Sequence, residues 1–191
     1  MMRGCAEDFV RKIRHTLSGR ERKTIDDLAL SRAAVLVPLF EKKEECHLLF
    51  TKRTERVKYH KGQISFPGGM VDKEDRDLEM TARRESYEEI GLKEDDLEIL
   101  GALDDIVTVT QFIVTPFVGY FPYPYSYQVS DIEIAELIEV PLSHLLAPGC
   151  FAEREISPGD HQDVVSCYQY GEHIIWGATA RILKQFLDLL S

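Results

Sequence analysis

A chain of 191 residues with 44% hydrophobic side chains is long enough to bury a substantial core, and we expect one globular domain. The formal net charge of −10 argues against nucleic acid or an anionic membrane as a partner, because a phosphate surface selects for a surplus of Lys and Arg. No apolar run is long enough to cross a bilayer, and no secretion signal is recognised, so we expect a cytoplasmic protein whose four cysteines are reduced.

The first predicted element is a short amphipathic helix near the N-terminus. Four apolar residues recur at helical spacing: Phe9, Val10, Ile13 and Leu17. Gly19 is a plausible end of this helix. We therefore predict a domain over residues 1–191 that includes an N-terminal helical extension over about 1–30.

The predicted strands follow in order. Residues 33–40 and 46–51 are apolar and β-prone, and the charged residues 41–45 between them predict a hairpin loop. A helix is predicted at about 77–90. Further strands are predicted near 97–103, 106–109, 113–121, 132–140, 164–170 and 173–176, before a closing helix at 178–190. Strands mixed with few helices indicate layered α/β or α+β packing.

The helix near residues 77–90 concentrates carboxylates on one side. Its expected buried stripe has residues four apart: Leu78, Ala82, Ser86 and Ile90. Glu85, Glu88 and Glu89 then lie within an arc of roughly 100° beside that stripe. Like charges at this spacing destabilise a helix, and a hard divalent cation such as Mg²⁺ would explain them.

A solvated acidic face is the alternative interpretation, with Arg84 and Glu88 as an ordinary i, i+4 pair. The residues before the helix favour the metal site. The two glycines of residues 66–69 allow a close backbone approach, and Asp72 and Asp75 are candidate helix caps.

Residues 69–92 resemble a Nudix box, the motif of the Nudix hydrolase family. The matching positions are Arg84, Glu85, Glu88, Glu89, Gly91 and Leu92. Ser86 departs from the usual aliphatic residue or Ala. The interval from Gly69 to Arg84 is one residue longer than usual, with Asp75 where Glu is expected. This stretched spacing is similar to that of the coenzyme A pyrophosphatase branch.

Residues 49–69 are similar to the signature that accompanies the box in that branch. Lys58 stands where the signature has Arg, and Lys lacks the bidentate fork that Arg offers to phosphate. The segment forms a basic island in an acidic chain: Lys52, Arg53, Arg56, Lys58, His60 and Lys61. The alternative is a solvated basic loop, or one that pairs with Glu55 and the acidic helix, and His60 alone could equally be a packed or surface histidine.

The resemblance implies an α/β/α sandwich around a central mixed sheet. It also implies hydrolysis of coenzyme A or acyl-coenzyme A, with Mg²⁺ or Mn²⁺ held by Glu85, Glu88 and Glu89. The expected catalytic residues are Arg84, Glu85, Glu88, Glu89 and a general base, for which Glu133 and Glu136 are the candidates. The expected substrate-binding residues are Arg53, Lys58, His60, Gly62, Gln63, Gly68 and Gly69.

Two other functions are compatible with the sequence. A Nudix hydrolase could act on ADP-ribose, NADH or another nucleoside diphosphate derivative, because the box specifies diphosphate cleavage and not the attached groups. A Nudix domain could also bind nucleotides as a sensor without turnover, although the complete set of Arg84 and three glutamates argues against this. The partner in each case is a small nucleotide, and the chain is expected to be a monomer or a homodimer.

Overall fold

The computed structural model describes residues 5–56, 61–156 and 163–190. Within them a mixed sheet has eight strands: β1 (Ser31–Lys42), β2 (Glu45–Arg53), β3 (Ile64–Ser65), β4 (Gly68–Met70), β5 (Glu98–Ala102), β6 (Ile106–Val107), β7 (Phe112–Tyr120) and β8 (Ile134–Pro141). Strands β1 and β7 pair in parallel, and the other pairs are antiparallel. The main order is β3-β2-β1-β7-β5, and β4, β6 and β8 pair with β1, β7 and β2 respectively.

A second, antiparallel sheet and four α-helices complete the described fold. The sheet has the order β11-β10-β9: β9 (Phe151–Ile156), β10 (Asp163–Tyr170) and β11 (His173–Trp176). The helices are α1 (Cys5–Ser18), α2 (Leu78–Ile90), α3 (Leu142–Leu145) and α4 (Gly177–Asp188), with a 3₁₀ turn at Glu94–Asp96. No helix of the described segments has the length and apolarity that crossing a membrane requires.

Strand β1 shows why the sheet lies between two layers. Ala33, Val37 and Leu39 belong to the core cluster that includes the apolar faces of α1 and α4. Alternate residues face the other way: Leu36 packs in the cluster with Ile90, and Ala34 packs with Ala82 of α2. Because successive strand residues face opposite sides, one strand serves both cores. The predicted sandwich around a central mixed sheet is confirmed.

The hairpin between β1 and β2 is tighter than predicted. The strands extend to Lys42 and from Glu45, so the loop contains only Lys43 and Glu44. Both have positive φ, 54° and 63°. A two-residue hairpin turn that matches the strand twist requires this backbone conformation, and the sequence hides it because neither residue is Gly, Asn or Asp.

Several predicted boundaries are wrong. Strand β8 begins at Ile134, so Glu133 precedes the strand, and β6 ends at Val107. The elements β3, β4, α3 and β9 were not predicted, since the first three have two to four residues and show no hydrophobic period. The cap of α2 is Asp77, not Asp72 or Asp75.

Candidate active site

Helix α2 is fixed at both ends. The carboxylate of Asp77 accepts a hydrogen bond from the backbone of Met80 at 2.8 Å. The helix stops at Gly91, whose φ of 72° lies in the left-handed region that glycine adopts without strain. These two signals set the length of the helix and the positions of its glutamates.

The buried stripe of α2 lies where the sequence predicts it. Ala82, Ser86 and Ile90 are fully buried, and Leu78 is half-buried. The Ser86 hydroxyl donates to the carbonyl of Ala82 at 2.7 Å. A serine is therefore accommodated on an apolar stripe because its hydroxyl has a partner within the helix.

The three glutamates differ in burial. The side chain of Glu89 is 3% exposed, that of Glu85 is 18% exposed and that of Glu88 is 55% exposed. The backbone N–H of Gly68 donates to Glu89 at 3.3 Å. A β-carbon on Gly69 would lie 2.5 Å from the carboxylate of Glu85. Strand β4 thus approaches the helix so closely that its two glycines touch the two buried carboxylates.

Arg84 holds the outer side of this cluster. Its Nε and Nη2 donate to the two oxygens of Asp75 at 3.0 and 2.9 Å. Its Nη1 donates to Glu85 at 2.8 Å and to Glu88 at 3.1 Å. A planar guanidinium with several partners fixes the orientation of the carboxylates around it.

Arg53 and Glu133 approach from the opposite side. Arg53 Nη1 lies 3.4 Å from Glu89, and Arg53 Nη2 lies 3.9 Å from Glu133. Glu133 precedes β8, which pairs with β2, the strand that ends in Arg53. The structure therefore brings two of the predicted site residues to Glu89 from distant parts of the chain.

Burial and like charges act together on the glutamates. Burial raises the pKa of Glu89 to about 8, Glu85 and Glu133 add to the rise, and Arg53 and the N–H of Gly68 oppose it. Burial also raises the pKa of Glu85, with repulsion from Glu88 and Glu133 in the same direction and Arg84 against it. Both carboxylates are therefore short of positive partners.

The donor set suits a hard divalent cation. In the described part of the chain two arginines pair with five carboxyl groups at this site, so the carboxyl groups outnumber the cations by three. Mg²⁺ prefers carboxylate oxygens and keeps several waters. However, no three acidic, His or Cys side chains of the described residues form a ready metal cluster. Glu85 and Glu88 both accept from Arg84, whereas Glu89 lies beside Arg53.

The remaining predicted residues are distributed as follows. The carbonyl of Gln63 accepts from the backbone of Arg53 at 3.0 Å, and a β-carbon on Gly62 would lie 2.7 Å from the Glu55 carboxylate. Lys58 and His60 lie outside the described residues.

Glu136 is not at the carboxylate cluster. It lies 3.6 Å from Lys52 Nζ and 3.5 Å from His173 Nε2, a residue of the second sheet. Of the two predicted candidates for the general base, only Glu133 lies beside Arg53 and interacts with Glu85 and Glu89.

The sequence matches the NUDIX domain over residues 30–157, a range that contains this entire carboxylate cluster. The chain belongs to the Nudix hydrolase family. As a member of it, the protein is a hydrolase of diphosphate bonds in nucleoside diphosphate derivatives.

Two curated relatives cover most of the chain. It is 37% identical over 166 residues to a protein of Enterobacter sp. described as an uncharacterized Nudix hydrolase NudL, covering 87% of this chain and 86% of the relative. It is 34% identical over 178 residues to the protein of the same description in Photorhabdus laumondii, covering 93% and 94%. Neither description names a substrate.

Two solved structures show the same fold. A MutT/nudix family protein from Enterococcus faecalis has a TM-score of 0.55 at 15% identity, with coverage of 100% of this chain and 76% of that one. The Ap4A hydrolase of C. elegans has a TM-score of 0.52 at 18% identity, with coverage of 85% and 99%. At these identities the likeness supports the Nudix fold alone.

The role of Asp75 in this Nudix site was not recognised from the sequence. Asp75 is a partner of Arg84 and not a helix cap, and its side chain is 1% exposed. The Thr81 hydroxyl also donates to it at 2.8 Å. The signal was available, because Asp75 occupies the position where the Nudix box has Glu, and only the longer spacing obscured the match.

Replacing Asp75 by asparagine is expected to destabilise the protein by about 2 kcal/mol at pH 7. The Arg84 guanidinium lowers the pKa of Asp75 from 3.8 to about 2, with further help from the backbone N–H of Asp72 and from Thr81. A lowered pKa stabilises the fold above pH 3.8, and this stabilisation is lost as the pH falls toward 2. Urea unfolding at pH 7 and pH 3 measures the difference in the free energy of unfolding between wild type and the Asp75→Asn variant, and this difference should be smaller at pH 3. An equal loss at both pH values would contradict the ion-pair origin.

Proposed function

We propose that the protein hydrolyses the diphosphate bond of coenzyme A or an acyl-coenzyme A. Water would attack one phosphorus, and the bond from that phosphorus to the bridging oxygen would break. The products would be (acyl-)phosphopantetheine and adenosine 3′,5′-bisphosphate. The observation that carries the diphosphate chemistry is the burial of Glu85 and Glu89 side by side with too few cations to neutralise them.

We infer that Glu85, Glu88 and Glu89 hold Mg²⁺, with Mn²⁺ as an alternative. Such an ion neutralises a diphosphate and activates water. Arg84 keeps the three carboxylates in place through its contacts with Glu85, Glu88 and Asp75. Glu133 is the group that accepts the proton of the attacking water, since it is 47% exposed and lies opposite the helix that carries the other carboxylates.

The choice of coenzyme A rests on the basic segment. Arg53 is in contact with Glu89, so the basic segment has one of its first residues at the carboxylate cluster. A coenzyme A substrate carries a 3′-phosphate as well as the diphosphate, and a basic segment in an acidic protein supplies the local positive charge that both need. Arg53, Lys58, His60, Gly62, Gln63, Gly68 and Gly69 are the proposed substrate contacts.

A substrate panel tests this function. Coenzyme A, acetyl-coenzyme A, ADP-ribose, NADH and nucleoside triphosphates are incubated with Mg²⁺, and the products are identified by mass spectrometry. We expect adenosine 3′,5′-bisphosphate from the coenzyme A species, with faster turnover than for the other compounds. Dephospho-coenzyme A is the matched control, because it lacks only the 3′-phosphate and should show a higher KM.

Each other outcome has a clear meaning. Preference for ADP-ribose or NADH would retain the diphosphate chemistry and reject the coenzyme A assignment. An equal KM for coenzyme A and its dephospho form would reject the role of the basic segment. Binding of a nucleotide without products would indicate a sensor.

A further inference from the structure

Strands β2 and β8 lose their regular register beside the active site. Lys52 pairs with Glu136, but Arg53 pairs with Ile134. Strand β8 therefore advances two residues while β2 advances one, and Ala135 is the extra residue. Irregularities of this kind bend the strand and redirect side chains, and they are frequent next to active sites. This one lies two residues from Glu133.

Thr54, the residue after Arg53, binds the chain around Glu133 beyond the irregular register. Its backbone N–H donates to the carbonyl of Glu133 at 2.8 Å. Its hydroxyl donates to the carbonyl of Ile132 at 2.7 Å, and Thr54 is only 8% exposed. Two consecutive carbonyls, one on each side of the Glu133 α-carbon, are therefore bound by a single residue.

The other side of Glu133 is attached to helix α2. The N–H of Glu133 donates to the carbonyl of Ser130 at 3.1 Å, and the N–H of Ser130 donates to the carbonyl of Glu89 at 2.9 Å. The main chain of Glu133 is thus held between Thr54 and the last turn of the helix that carries the three glutamates. Its side chain meets Arg53, the residue next to Thr54.

We propose that Thr54 is a positioning residue whose hydroxyl, through the carbonyl of Ile132, sets where the Glu133 carboxylate stands relative to Glu85 and Glu89. This inference rests on the proposed role of Glu133 as proton acceptor. Without the hydroxyl, the Ile132–Glu133 peptide loses the anchor at its carbonyl and keeps the bond from its N–H to Ser130, so it can tilt and move the carboxylate away from the reacting water. A displacement of about 1 Å of a catalytic group is enough to reduce a rate by up to about a hundredfold.

The test compares Thr54→Val, which keeps the shape and removes the donor, with Thr54→Ser, which keeps the donor. With coenzyme A and Mg²⁺ we expect Thr54→Val to lower kcat by about tenfold to a hundredfold with KM changed less than about twofold. Thr54→Ser should restore kcat to within about threefold of wild type, as expected for a rescue by the retained hydroxyl. Thr179→Val is the matched control, because it also removes a buried hydroxyl bond to a carbonyl, that of Ile64.

A double-mutant cycle separates positioning from general stability. If Thr54 acts through Glu133, Thr54→Val causes no further loss of kcat in a Glu133→Gln background. If the losses of kcat from Thr54→Val and Glu133→Gln multiply in the double variant, the inference is overturned. A Thr54→Val enzyme with wild-type kcat would also overturn it. If Glu133→Gln alone keeps wild-type kcat, the proposed role of Glu133 fails and the inference falls with it.

Amide hydrogen exchange gives a readout that does not depend on turnover. Thr54→Val should speed exchange in residues 130–134, where the N–H groups of Glu133 and Ile134 bond to Ser130. Thr54→Ser and Thr179→Val should leave that segment unchanged. Unchanged exchange in Thr54→Val would overturn the inference even if no substrate of the panel is turned over.

Discussion

Replacing Glu89 by glutamine is expected to lower kcat by about a thousandfold or more, which corresponds to about 4 kcal/mol of transition-state stabilisation. Glu89 is the most buried carboxylate of the proposed metal site, and the amide of glutamine is neutral and a much weaker ligand for Mg²⁺. Steady-state hydrolysis of coenzyme A in the presence of Mg²⁺ measures the effect. Glu172→Gln, at an exposed position, is the control for loss of one surface charge.

Thermal unfolding provides a second readout for the same variant. A ligand at a hundred times its Kd stabilises a protein by about 2.7 kcal/mol, so Mg²⁺ should raise the melting temperature of the wild type and not that of Glu89→Gln. Without metal, Glu89→Gln should be at least as stable as wild type. Burial, together with Glu85 and Glu133, raises the pKa of Glu89 to about 8, so folding carries a cost of keeping this carboxyl group protonated that a neutral amide avoids. A variant that keeps more than about a tenth of the activity would exclude Glu89 as an essential ligand.

Replacing Gly68 by alanine is expected to cause the largest loss of stability, about 3 kcal/mol or more. Gly68 has φ +153°, and its added β-carbon would lie 2.3 Å from the carbonyl oxygen of Ala34 and 2.6 Å from the α-carbon of Val35. Both are backbone atoms of the central strand β1, which cannot move away cheaply. In a chain of this size the loss corresponds to a fall in melting temperature of roughly 6–12 °C.

Two further glycine variants separate the cost of backbone strain from the cost of the close contact of the added β-carbon. Gly149 also has positive φ, 89°, but a β-carbon there meets nothing within 4 Å, so Gly149→Ala measures the backbone strain alone. Gly69→Ala would instead press on the Glu85 side chain and should reduce activity more than stability. If Gly68→Ala melted at the same temperature as Gly149→Ala, the close contact with β1 would carry no cost and the prediction would be wrong.

The sequence predicts the helix of the site well, since its signals are local. The buried stripe ending at Ile90 and the stop at Gly91 follow from spacing within a few turns. The choice of cap was wrong, because Asp72, Asp75 and Asp77 are equivalent candidates until the partner of Asp75 is known. That partner, Arg84, lies nine residues further along the chain, inside helix α2, whereas Asp75 precedes the helix.

The contacts across the site could not be predicted in the same way. Arg53 meets Glu89 because β2 pairs with β1 in the sheet and α2 packs on the face of β1. Glu133 meets Arg53 beside an irregular register that no periodicity reveals. Thr54 gave no sequence signal, since a single threonine after a strand is ordinary. The roles of the site residues, the single domain over residues 1–191 and the cytoplasmic location stay predictions.

The tyrosine-rich residues 123–127 support the end of helix α2. The Tyr125 hydroxyl donates to Asp96 at 2.9 Å and accepts from the backbone of Lys93 at 3.0 Å, both just after α2. The N–H of Gln128 then donates to the carbonyl of Ile90 at 3.0 Å. This segment satisfies carbonyls at the end of the helix that would otherwise lack partners, and it leads the chain toward Glu133.

The attachment of α2 at both of its ends has an evolutionary consequence. Its backbone is fixed by Asp77, by Gly91 and by the segment that bonds to Ile90, none of which lies in residues 52–61. Of residues 52–61, Arg53 contacts a glutamate of the helix, Glu89. If residues 55–61 contact the nucleotide as proposed, mutations there would change which nucleotide is preferred without touching the contacts that fix the helix. Substrate choice could then diverge while bond cleavage is preserved, with Arg53 and Thr54 at the boundary between the two.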